Sequence, residues 1–216
     1  MICLLRMNRN HIITISGKPG SGKSSTADKV AEILGYTRHS SGDMVRKILA
    51  TNKMTLEEYN ENAETDHNLD AEVDEKLRAL RDKKDIVVDS RLGFYWIPES
   101  FKVYLDLDMD LATVRIYKDA VSNNMRSSVG TSSTSLDAVS TQVRERMLDE
   151  QNRFRKLYGI DPYDQSHFDF VIDTSRQNPQ SVAIAVFDAY KKWLDTEVWE
   201  QQRNVVPIGY SYKNKY

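Results

Sequence analysis

Eight residues near the start of the chain, Gly17-Lys18-Pro19-Gly20-Ser21-Gly22-Lys23-Ser24, satisfy the pattern G-x-x-x-x-G-K-[ST] at every fixed position. The chemistry this spacing serves is a grip on a polyphosphate. Glycines lack a Cβ and tolerate positive φ, so the backbone can wrap closely around anionic oxygens and turn its N–H groups toward them. Lys23 adds a mobile positive charge for β- and γ-phosphates, and the Ser24 hydroxyl can ligate Mg²⁺. Ser25 continues the set into the next turn. Lys18 and Pro19 fill free positions, and the Lys18 side chain reads as a solvated charge. A chance glycine-rich turn would lack the context this loop has. Before it lies an apolar run, Ile12-Ile13-Thr14-Ile15, and after it a helix-compatible stretch to Leu34 with Ala27, Val30, Ala31 and Leu34 on one face.

A second chemical signal is Asp85-Ile86-Val87-Val88-Asp89, an extended run ending in a carboxylate. A strand of this kind can hold Asp89 beside the loop, where it orients hydrated Mg²⁺. The next residue is Ser90, not a second carboxylate that could activate water, which favours transfer to a bound acceptor over hydrolysis. Arg91 follows at the strand's C-terminal edge, where open α/β sheets bind ligands. Four more arginines, Arg144, Arg146, Arg153 and Arg155, stud a helical run from about Thr141 to Tyr158. Arg146 and Arg153 are seven apart and share one face. Arg144 and Arg155 read as surface salt bridges, with Glu145, Asp149 and Glu150 in reach. Along a helical block around Leu69–Leu80, Asp74 and Arg81 read as solvated charges, whereas Asp66, Asp70 and Arg78 are candidate substrate contacts.

The elements that position these groups alternate. Strand-like runs occur at Ile12–Ile15, Tyr36–Ser40, Asp85–Asp89, Phe101–Leu107 and Phe168–Ile172, and helical patterns lie between them. Ser40-Ser41-Gly42-Asp43 starts a helix over Met44–Ala50, the capping box Thr55-Leu56-Glu57-Glu58 starts a second, and Asp108–Ala120 reads as helix with Leu111, Val114 and Tyr117 inward. Another should start at Asn178-Pro179, with Asn178 as N-cap and Pro179 at N1. This order implies a three-layer α/β/α fold around a parallel five-stranded sheet. Phe94-Tyr95-Trp96 read as packing under a loop or, alternatively, as a base pocket. Val121–Ser140, with nine Ser or Thr in twenty residues, reads as a polar loop at the tip of a lid. The tail from Gln201 shows no periodicity.

Composition narrows the function. The chain has 216 residues and a formal net charge of -2, which argues against a broad nucleic-acid footprint. No apolar run approaches the roughly 18 residues of a membrane span, and Met1–Met7 is too short for a secretory signal. Cys3 is the only cysteine, and the histidines lack metal-ligand spacing. A cytoplasmic monomer acting on small molecules is expected.

With these residues in view, the chain resembles the nucleoside monophosphate kinases, closest to the archaeal-type cytidylate kinases. The likeness runs from about Ile12 to Tyr190. It rests on the P-loop, Ser41-Gly42-Asp43 with Arg46, Asp66 with Asp70, and Arg91-Leu92. Arg146 with Glu150, Arg153-Phe154, Tyr158-Gly159-Ile160-Asp161 and Asp173-Thr174-Ser175 complete it. The resemblance implies a P-loop NTPase core (about 10–39, 84–118 and 156–200), a helical acceptor-binding insert (about 40–83) and a helical lid (about 119–155). It implies ATP and Mg²⁺, with CMP or dCMP as acceptor. Arg46 and Arg91 would hold the acceptor phosphate beside Ser41, Gly42 and Asp70. Lys23, Arg146 and Arg153 would serve the transferring group, Asp89 and Ser24 the metal, and Thr174 the donor base. Two other readings stay open: a P-loop kinase for a different acceptor, and an ATP-binding switch that transfers nothing.

Overall fold

β1 (Ile12–Gly17) is buried along its whole length, and its side chains alternate between two cores. Ile13 and Ile15 face one way and Ile12 the other, as the two-residue period of a strand requires. A strand covered on both faces belongs at the middle of a parallel sheet. The computed structural model, which describes residues 11–55, 58, 68–122 and 135–204, shows this arrangement. β3 (Ile86–Asp89) and β4 (Phe101–Asp106) flank β1 in parallel; β2 (Thr37–Ser40) adds to β3, and β5 (Phe170–Asp173) adds to β4.

A sixth strand, β6 (Gln202–Asn204), pairs with β5, so the order is β2-β3-β1-β4-β5-β6 and the five-strand expectation is one short. The missed strand lies in the stretch read as an aperiodic tail. It has three residues and polar side chains, too little for a period to register, and it is held by backbone pairing at the sheet edge. Residues 205–216 lie outside the described residues.

One face of the sheet is covered by α1 (Lys23–Leu34) and α7 (Pro179–Asp195), which pack Ala27, Val30, Val186, Tyr190 and Trp193 over Ile13, Ile15, Val87 and Val103. The other carries α2 (Ser41–Asn52) and α3 (Asn68–Arg78), whose Ile48, Val73 and Leu77 join Ile12, Ile86 and Val88. Each such fully buried aliphatic side chain contributes about 1.5–3 kcal/mol. The aromatic run Phe94-Tyr95-Trp96 forms the short helix α4 (Gly93–Trp96). Phe94 is buried against Phe168, with ring centroids 4.8 Å apart, so packing is its role.

Local signals set most boundaries. Asn178 caps α7 through the Ser181 N–H, with Pro179 at its start. Thr55 and Glu58 exchange the two hydrogen bonds of a capping box. Ser40 caps α2, which begins at Ser41 within the expected Ser40-Ser41-Gly42-Asp43 start. Two expectations need correction. α5 (Met109–Ser122) buries Ala112, Thr113 and Ile116, while Leu111 is exposed. α6 (Leu136–Tyr158) starts five residues before Thr141, capped by Ser135. The Ser/Thr-rich stretch is therefore helical at both described ends, and residues 123–134 lie outside the described residues. Among the described residues, no helix is long and apolar enough to cross a membrane.

Candidate active site

Because all strands run parallel, the loops that follow β1, β2, β3, β4 and β5 emerge at one edge. The loop after β1 opens with Gly17 at φ 146°, so close to β4 that a Cβ there would stand 2.3 Å from the Leu105 carbonyl oxygen. Only glycine fits. The Lys23 ammonium lies inside the loop and donates to the Gly17 and Lys18 carbonyls, both at 2.8 Å. Burial, followed by repulsion from Arg91, pulls its pKa down from 10.5 to about 7, although Asp89 and Glu150 act in the opposite direction. Two N–H groups suffice for the two carbonyls, so the amine and the ammonium can both make these bonds.

Ser24 Oγ donates to Asp89 Oδ2 at 2.7 Å, at the end of β3. The pair is oxygen-only and hard, and Asp89 is buried. It fits Mg²⁺, which binds through one or two protein oxygens with the rest of its shell from water and substrate phosphates.

Beside Lys23, three further groups converge on Glu150 of α6. Arg91 Nε lies 2.5 Å from Glu150 Oε2, Arg146 Nε 3.1 Å from Oε1, and the Tyr163 hydroxyl donates to Oε2 at 2.5 Å. Glu150 is only 8% exposed. Burial pushes its carboxyl up, but Arg91 and then Arg146 outweigh that, and it titrates below the usual range. Arg91 is raised for the complementary reason: Glu150 overcomes the cost of burial. Lys23, Asp89, Arg91 and Arg146, drawn from three separate parts of the sequence, thus share one electrostatic cluster.

Arg153, two turns along α6 from Arg146, faces Asp70 of α3 at 3.8 Å. Asp74, read from sequence as solvated, is instead buried. It accepts from the Trp96 indole at 2.8 Å and from the Tyr158 hydroxyl, and burial raises its pKa despite both donors. The helical period of α3 puts Leu69, Val73 and Leu77 on the core side, but a period along one helix cannot show that α6 covers the neighbouring face. Arg78 stacks over Trp96, 3.9 Å from the ring centre.

Ser41 Oγ donates to the Asp89 carbonyl at 3.4 Å, and Arg46 pairs with Asp43 at the exposed start of α2. Gly42 leaves room there: a Cβ would meet the Arg46 guanidinium at 3.5 Å. Asp66 lies outside the described residues. Arg144 and Arg155 do form surface ion pairs, though with Asp110 and Asp161 rather than with the acids of their own helix.

On the other flank of the loop is a cleft of about 230 Å³, lined by Gly20, Ser21, Gly22, Thr174 and Pro179 among others. Thr174 is buried and bonded through both N–H and hydroxyl to the Asp106 carbonyl. Arg115 of α5 spans the cleft, donating to Thr174 O at 2.7 Å and Gly20 O at 3.5 Å. Nothing in its spacing singled it out. The solvated reading of Lys18 does not hold. Its ammonium pairs with Asp106 at 2.7 Å and bonds Leu107 O at 3.0 Å, bracing the loop on β4. Pro19 is buried in the loop, and Ser25 is exposed on the first turn of α1.

Comparison with known proteins gives the same direction. The model of the cytidylate kinase-like family matches residues 12–176. The cytidylate kinase of Methanocella arvoryzae is 34% identical over 179 residues, covering 82% of this chain and 95% of that protein. The cytidylate kinase of Natronomonas pharaonis is 33% identical over 204 residues, covering 93% and 100%. Among solved structures, a shikimate kinase from Bacteroides thetaiotaomicron aligns with a TM-score of 0.57 at 10% identity, over 84% of this chain and 98% of that one. At that identity the likeness is one of fold.

Proposed function

The chain belongs to the cytidylate kinase-like family, and from that premise we propose that it transfers the γ-phosphoryl group of ATP to CMP or dCMP, giving ADP and CDP or dCDP. Nucleoside monophosphate kinases are phosphotransferases, and so is this protein. The choice of cytosine is the finer reading, and the names of its relatives support it.

The observation that carries the mechanism is the meeting of Lys23, Arg91 and Arg146 at the edge where the P-loop and Asp89 end their strands. Two phosphate-bearing substrates repel one another, and this cluster supplies the positive charge that opposes the repulsion. An acceptor phosphate oxygen attacks the γ-phosphorus, the bond from that phosphorus to the β-bridging oxygen breaks, and ADP leaves with the electron pair. The attacking oxygen is already anionic, so no general base is required, and catalysis is alignment and charge compensation.

Each residue has a part in that alignment. Gly17, Lys18, Pro19, Gly20, Ser21, Gly22 and Ser25 shape the donor loop, and Lys23 reaches its phosphates. Ser24 and Asp89 would hold Mg²⁺, which when bound neutralises charge on the β- and γ-oxygens. Arg46 and Arg91, with Ser41, Gly42 and Asp70, receive the acceptor. Arg146 and Arg153 stabilise the transferring group, and Thr174 lines the donor-base cleft. Glu150 holds Arg91 and Arg146 until phosphate oxygens replace its carboxylate. The proposed division is a core, an acceptor insert at about 40–83 and a lid at about 119–155.

A coupled ADP-release assay over CMP, dCMP, UMP, dTMP, AMP and GMP tests this. The expected result is the highest kcat/KM with CMP or dCMP. Preference for another acceptor would replace the cytosine reading. ATP consumption indifferent to every monophosphate would point to a nucleotide-dependent switch.

A further inference from the structure

Arg38, in β2, belongs to no motif, yet it touches the carboxylate on which the metal reading depends. Its Nη2 donates to Asp89 Oδ2 at 3.1 Å, the same oxygen that accepts from Ser24 at 2.7 Å. Its Nε lies 3.4 Å from Asp28 of α1, and its Nη1 3.5 Å from Asp43 of α2. The Arg38 side chain is 21% exposed and that of Asp89 is 7% exposed, so the contact is largely screened from water. One guanidinium thus serves three carboxylates, from a strand and two helices. Asp43 also pairs with Arg46.

A planar guanidinium with several fixed donors can bridge diverging carboxylates, which a point charge cannot. A fixed cation 3.1 Å from a carboxylate oxygen also opposes the approach of a second cation to that oxygen. We infer that Arg38 is a positioning residue: in the nucleotide-free protein it holds Asp89 toward Ser24 and supplies the countercharge. Bare divalent cations are then bound poorly, and metal enters together with the nucleotide phosphates. The inference rests on the reading of Ser24 and Asp89 as the metal-facing pair.

The test uses the full chain and Mn²⁺, with free Mn²⁺ read by electron paramagnetic resonance. Without nucleotide, Arg38→Gln and Arg38→Met should bind Mn²⁺ about tenfold or more tightly than wild type. Arg38→Lys, which retains the charge but not the fork, should fall between wild type and the neutral variants. Adding Asp89→Asn to Arg38→Gln should abolish the gain. Unchanged Mn²⁺ affinity in both neutral variants, each shown folded by its thermal transition, would overturn the role of Arg38. So would a gain that survives Asp89→Asn, because the metal would then sit on Asp28 and Asp43. The underlying reading has a separate measure: Asp89→Asn alone should weaken binding of Mn²⁺–ATP. If it does not, the metal-facing pair itself fails, whatever Arg38 does.

Discussion

At the scale of single residues, Lys23 determines how the site responds to protons. Its folded pKa of about 7 lies below the ordinary 10.5 because burial and Arg91 disfavour the charged form. Between those values the folded chain binds fewer protons than the unfolded chain, so this group makes stability rise with pH across that window. A bound triphosphate reverses the balance by favouring the ammonium. MgATP binding at pH 8 should therefore be accompanied by proton uptake, seen as a buffer-dependent enthalpy in calorimetry, and Lys23→Met should remove it. Lys23→Ala should abolish transfer while leaving the thermal transition of the fold intact; near-normal turnover would deny Lys23 its place in the site. Arg146→Ala should lower kcat by about 10³–10⁵-fold, the range for an arginine on a transferring phosphoryl group, with little loss of ATP affinity. An unchanged kcat would reduce Arg146 to a partner of Glu150.

At the scale of elements, caps and glycines did most of the specifying. The Asn178 side chain accepts from Ser181 N at 2.9 Å and fixes where α7 begins, just after the Thr174 loop. Asn178→Ala should cost about 1 kcal/mol in equilibrium unfolding, because one N–H of the first turn loses its acceptor. The loop itself, α7 and the strand ending in Asp89 were legible because each is written in adjacent residues. The inward face of α5 was legible only in part: Tyr117 packs against Ile116, Val139 and Val143, but Leu111 is exposed. Its apolar positions fit more than one stripe, and contact with the P-loop and α6, rather than hydropathy, turned Ala112 and Ile116 inward. The start of α6 was hidden for a related reason: Ser135 is one of many serines and threonines in that stretch, and only one of them became the cap.

At the scale of the whole molecule, α6 acts as a strut across the sheet edge. Through Glu150 it meets the loop after β3, and through Arg153 and Tyr158 it meets α3. Glu150→Gln would leave Arg91 and Arg146 without their shared anion, and near neutral pH it should cost about 3–5 kcal/mol of stability, as when one member of a buried ion pair is removed. The sign with pH is set by the depressed carboxyl. The stabilisation is present above the unfolded value of 4.5 and is lost as pH falls through the lower folded pKa. Melting curves of wild type and Glu150→Gln from pH 7 to pH 3 should therefore converge at the acid end. Parallel curves would show that the Glu150 charge does not hold the strut.

The order of the first five strands and the helices between them, the phosphate loop and the carboxylate at the end of β3 were determined by sequence alone, because spacing within a few residues fixes hydrogen bonds and burial locally; β6, held by backbone pairing at the sheet edge, was not. Tertiary structure decided which charges meet. Glu150 could have paired along its own helix only, but folding also brought Arg91 and Tyr163 to it. Arg38 found Asp89, Asp28 and Asp43, and Arg115 found the carbonyls of two separate loops. Ion pairs between distant segments have no period along the chain. They depend on where the backbone delivers each side chain and on how much water is excluded there, and both are properties of the folded molecule.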